Sequence, residues 1–135
     1  MGDINPILDI YKKDGLVIYF MDHSKASEEA IIKNINCVEE LIKKENAYFG
    51  FIWDTVGMEI TPAINSQGKK LEKVTATADK YVGSSIIRSN NFMTLLLKLF
   101  VRSDMFFVTN KKNAEEAILT NYYKKKEPLQ KNVNT

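Results

Sequence analysis

One cysteine, one histidine, one tryptophan and three prolines are all that the 135 residues contain of these types. Cys37 has no partner for an intramolecular disulfide, and with His23 it falls far short of the donor set of a cysteine/histidine zinc site. A reducing cytoplasm is the expected compartment. No apolar run approaches the ~20 residues of a membrane-spanning helix. A glycine-rich phosphate loop is missing, since Gly83 stands alone before Ser84-Ser85. The opening "MGDINPILDI" carries Asp3 and no basic region, so no secretory signal is expected. Pro6 breaks the myristoylation pattern that Met1-Gly2 begins.

Apolar residues make up 44% and charged residues 27%, the balance of a globular domain. The length suits one domain, expected over residues 1–126, with "EPLQKNVNT" (127–135) as a polar tail. Net charge is +2, unevenly placed: residues 1–87 hold ten basic and thirteen acidic side chains, residues 88–135 nine and four. That asymmetry is weaker than the basic stripe of a nucleic-acid binder, so a nucleic-acid partner is not expected.

Periodicity gives the order β-β-α-β-α-β-α-β-α. Ile7–Tyr11 and Leu16–Met21 are strand-like around Asp14-Gly15, a hairpin turn signal. Ile31, Ile35, Val38 and Ile42 recur at helical spacing, widened by Ile32 and Leu41, with Ser24 or Ser27 as cap. Cys37, one position off that stripe, is expected to be buried. "AYFGFIWD" reads as a central strand. Thr61-Pro62 opens a helix with Ile64, Leu71, Val74 and Ala78 inward, weakened by Gly68. "YVGSSII" is a short strand, broken or bulged near Gly83, and "MFFVT" is the last strand. The last helix buries Ala114, Ala117, Ile118 and Tyr122. Its lysines Lys124 to Lys126 suit a solvated helix C-terminus. Such alternation implies a mixed, mostly parallel α/β sheet of about five strands, the hairpin at one edge and helices covering at least one face. Val17, Phe51, Trp53, Ile86 and Phe107 are expected to be largely buried.

Between the last two strands lies "NNFMTLLLKLFVR", in which eight of the ten residues from Phe92 to Val101 are apolar. At 100° per residue, Phe92, Leu95, Leu96 and Leu99 form one face. Met93, Leu97, Phe100 and Val101 extend the arc to roughly 240°, more than one sheet can cover. Either neighbouring helices and the C-terminal segment cover these four, or they are interface candidates for another subunit, a protein partner or an apolar small molecule.

The element order resembles the STAS domain, the fold of bacterial anti-sigma-factor antagonists and of sulfate-transporter cytoplasmic tails. Closer still is the similarity to stand-alone STAS-like proteins grouped with SEC14-type lipid-binding domains. It is carried by "FIWDTVGMEITPAINSQGKKL", a strand ending in Asp before a loop and helix. It is carried also by "YVGSSIIRSNNFMTLLLKLFVRSDMFFVTNKKNAEEAI". The resemblance implies a non-enzymatic regulatory or protein-interaction domain without a cofactor. The SEC14-type grouping implies the alternative of a small apolar or lipid-like ligand. In antagonist domains a phosphorylatable serine precedes the second helix; the matching residue is Thr61, preceded here by Ile60 rather than Asp. As a helix cap Thr61 is equally well explained.

Ligands of open α/β sheets gather at the strands' carboxyl ends. Asp22, Asp54, Thr55, Ser84, Ser85 and the run Thr109-Asn110-Lys111 are expected there. Two carboxylates, hydroxyls and a lysine could hold Mg²⁺ and a phosphoryl group, giving a third reading as a phosphoryl switch or small enzyme. The same residue types also simply turn a strand into a helix. His23 is expected to be a loop residue, with neither nucleophile nor orienting partner evident.

Overall fold

The computed structural model describes residues 7–57, 61–87 and 105–126. Five strands form one sheet in the order β1-β2-β3-β4-β5: β1 Leu8–Lys13, β2 Leu16–Asp22, β3 Phe49–Asp54, β4 Tyr81–Ile87 and β5 Met105–Val108. β1 is antiparallel to β2, and every other neighbouring pair is parallel. The hairpin closes on Asp14 (φ 54°) and Gly15 (φ 90°), both left-handed, as a two-residue type I′ turn requires. Lys12 and Lys13 extend β1 beyond the expected Tyr11.

Three helices are described: α1 Glu28–Lys43, α2 Pro62–Ala76 and α3 Lys111–Lys126. Ser27 caps α1, accepting from Ala30 N, and Glu28-Glu29 stand at the positive end of its dipole. Ile31, Ile35, Val38 and Ile42 are all buried, as their spacing predicts. Gly68 lies inside α2, buried, and does not interrupt it. Two successive crossovers advance in the same direction across the sheet. The right-handed rule therefore puts α1 and α2 on one face. They pack there on Val17, Tyr19, Met21, Phe49, Phe51 and Trp53. α3 covers the opposite face through Ala114, Ile118 and Tyr122, against Leu16, Ile18, Ile52, Val82 and Ile87. Ala117 of α3 is half-buried.

A bulge sets the phase of β4. Phe49 pairs with Tyr81 but Phe51 with Ser84, so β4 spends one more residue than β3 over the same stretch. Gly83 takes φ 139° at that point. Opposite it, a Cβ on Gly50 would meet Gly83 O at 3.0 Å, so the two strands depend on glycine for their approach.

Val17, Phe51, Trp53 and Ile86 are buried as expected. Phe107 is only half-buried, because β5 pairs with β4 on one side alone among the described residues. Cys37 is exposed, contrary to expectation: its neighbour Val38 holds the inward position, and one residue along a helix turns ~100° away from it. Among the described residues, no helix is long and apolar enough to cross a membrane. The expected helix carrying Met93, Leu97, Phe100 and Val101, and the polar tail at 127–135, lie outside the described residues.

Candidate functional site

At the carboxyl end of the parallel strands, Asp22 and Asp54 stand side by side in register. Each carboxylate turns back on its own loop. Asp22 Oδ1 accepts from Ser24 Oγ (2.6 Å) and Ser24 N (3.2 Å), and Asp54 Oδ1 accepts from Val56 N (3.1 Å). These are local turns of the kind Asp favours at a strand end. Burial, with the neighbouring charge of Asp22, raises the Asp54 pKa against the Val56 N–H that lowers it. Thr55 is buried and donates to Ile87 O at 2.7 Å, tying the end of β3 to the end of β4.

Ser84 and Ser85 do not join this group, which corrects the expectation that they stand at a strand end. β4 continues through Ile87, so both serines fall inside it, on opposite faces. Ser85 is buried and donates to Ala114 O of α3 at 2.8 Å. Ser84 lies on the α1/α2 face, where its Oγ shares a 2.5 Å hydrogen bond with the Tyr81 hydroxyl. Asn110 Oδ1 accepts from Asn113 N at the start of α3, and Lys111 Nζ sits over the rings of Phe20 (4.4 Å) and Tyr11 (5.0 Å). Thr61 caps α2, accepting from Ile64 N at 3.2 Å. Among the described residues, no three acidic, histidine or cysteine side chains cluster as metal ligands would.

His23 is a loop residue, as expected, but it does not face solvent. It is fully buried, held between two elements. Trp53 Nε1–H donates to His23 Nδ1 at 2.5 Å, which makes Nδ1 the acceptor and Nε2 the protonated nitrogen. Nε2–H then donates to Asn34 Oδ1 at 2.7 Å. Burial pushes the His23 pKa down to about 4, although Asn34 and Asp22 pull it upward. The ring is therefore neutral at physiological pH, with both nitrogens engaged. Such a histidine joins β2, β3 and α1; it has no lone pair left to act as a base. The sequence holds one clue to it: Asn34 interrupts an apolar helix face, and a buried amide needs a partner.

A cavity of about 40 Å³ lies between the sheet and α2, lined by Met21, Phe51, Leu71, Ile86, Gly68 and Ser84 among others. It has room for about three waters. Pockets for drug-sized ligands run to roughly 300–1,000 Å³.

No protein-family model matches the sequence, and a search of curated proteins finds no match.

Asp54→Asn tests the strand-end pair. The raised pKa means that the fold disfavours the charged form, so the neutral isostere, which keeps an acceptor for Val56 N–H, should not destabilise the protein. The expected change is a gain of no more than about 0.5 kcal/mol in a urea titration at pH 7, small because the group is partly exposed. Mg²⁺ binding by calorimetry in the parent chain, lost in the variant, would instead assign the pair to a metal.

Proposed function

We propose that this chain is a non-enzymatic regulatory or protein-interaction domain of the STAS-like type. The observation that supports it most is the use already made of the candidate polar side chains. Asp22, Asp54, Thr55, Ser85, Thr61 and His23 are each hydrogen-bonded to a neighbouring loop, strand or helix. A catalytic constellation needs groups that converge on a common point outside themselves. These converge on the fold. The sheet order, the edge hairpin and the helices on both faces agree with the element order that carries the STAS resemblance.

The apolar-ligand reading has the cavity beneath α2 in its favour, but at about 40 Å³ that cavity is small for a lipid chain. The phosphoryl-switch reading keeps Asp22, Asp54 and Thr55 at the strand ends but loses Ser84 and Ser85, which lie inside β4; Thr61, the acceptor that the STAS resemblance implies, caps α2. For a protein partner or a second copy, the contact surface we favour is the apolar segment at Met93, Leu97, Phe100 and Val101. Leu97→Asp and Phe100→Asp should leave the domain folded and weaken its association, each by a factor of roughly ten or more as a buried apolar contact is replaced by a charge. Sedimentation velocity beside far-UV circular dichroism checks this. Folded variants that assemble unchanged would remove that surface from the proposal.

A further inference from the structure

β1 is an edge strand with a usable edge. Asp22 N donates to Ile7 O (2.8 Å), so the odd-numbered residues of β1 turn their backbone groups toward β2. The N–H and C=O groups of Leu8, Ile10 and Lys12 therefore point away from the sheet. Among the described residues no strand pairs with them. Ile10, in the middle of this edge, is 45% exposed, and Asp9, Lys12 and Lys13 are exposed around it. An open strand edge is a template for another strand.

From this edge we infer that β1 pairs antiparallel with β1 of a second copy of the chain, joining two five-stranded sheets into one. Symmetry and charge select a single register. A two-fold axis normal to a continuous sheet keeps each side chain on its own face, so facing residue numbers must sum to an even value. A sum of 18 sets Asp9 against Asp9, and a sum of 24 sets Lys12 against Lys12. Both place like charges directly opposite, which is unfavourable. A sum of 20 leaves Asp9 facing Tyr11. A sum of 22 places Asp9 opposite Lys13 twice, Tyr11 across the axis from Tyr11, and Ile10 opposite Lys12. In that register the outward groups of Ile10 and Lys12 form the hydrogen-bonded pairs. Lys13 already reaches Glu115 at 2.9 Å, with its side chain 51% exposed. Its ammonium carries three donors, so a second carboxylate can join the first. The contact uses none of the residues 92–101, so it stands apart from the apolar surface proposed above.

Ile10→Pro removes an outward donor without touching the β1–β2 ladder, a position where an edge strand tolerates proline. Sedimentation equilibrium of the parent chain should show a concentration-dependent dimer. In a Leu97→Asp background, which takes the apolar surface out of play, Ile10→Pro with an unchanged circular dichroism spectrum should be monomeric over the same range. Asp9→Lys should raise the dissociation constant roughly tenfold at low salt. Leu97→Asp should leave this contact in place. The register has its own readout: in a Cys37→Ser background, Tyr11→Cys should oxidise to a disulfide-linked dimer, because facing non-hydrogen-bonded residues lie within disulfide reach. Ile10→Cys should not. A parent chain that stays monomeric, a folded Ile10→Pro/Leu97→Asp variant that dimerises like Leu97→Asp alone, or cross-linking through position 10 in place of 11 would each overturn the inference.

Discussion

His23→Ala is expected to cost about 3 to 5 kcal/mol of folding stability, more than any change at the strand-end carboxylates. Two effects combine. The substitution empties a ring-sized space in a fully buried position. It also removes the acceptor of the Trp53 indole N–H and the donor to Asn34 Oδ1, in an interior that excludes water. The same residue gives a pH signature. Its folded pKa, about 4, lies below the ordinary 6.5, so the unfolded chain takes up a proton first as pH falls. The stability it contributes is complete above pH 6.5 and is lost between 6.5 and 4. Over that window the loss is about 3 kcal/mol, with no further change below it from this group. Urea titrations at pH 7, 5.5 and 4, followed by the single tryptophan, measure both effects. In His23→Ala this part of the acid sensitivity should vanish. A variant as acid-sensitive as the parent would show that His23 titrates normally.

Gly50→Val should be comparably severe. A Cβ at this position would already meet Gly83 O at 3.0 Å and Val82 Cγ2 at 3.1 Å, with Ile118 Cδ1 at 3.5 Å behind them. Two further methyl groups have no room unless β4 moves from β3, and that movement would disturb the bulge that aligns Ser84 and Ile86 with the α1/α2 face. The expected loss is about 3 kcal/mol or more, with Gly50→Ala at about 1 to 3. Denaturation midpoints check the order of the two. An unchanged midpoint for Gly50→Ala would mean that β3 and β4 can separate freely here.

The hairpin was legible because Asp14-Gly15 offers the two left-handed positions that its turn needs. The α1 face was legible because four aliphatic residues repeat at the helical period. The bulge at Gly83 was legible as an interruption in a strand-like run. What escaped depends on contacts between residues far apart in the chain. His23 follows a strand and reads locally as the start of a loop. It is buried because Asn34 and Trp53, 11 and 30 residues away, close over it. Ser84 and Ser85 read as a strand end because hydroxyls favour turns. Inside a strand buried on both faces they are tolerated only because Tyr81 and the Ala114 carbonyl take up their hydrogen bonds. Period-2 reasoning puts the two serines on opposite faces; it does not reveal what waits on each.

Native mass spectrometry of the gently purified chain tests most directly whether this protein works by binding another polypeptide. The account predicts a species at twice the 15.5 kDa of the chain, carrying no added small-molecule mass. A monomer at the same concentration, above all one holding an apolar adduct, would contradict it.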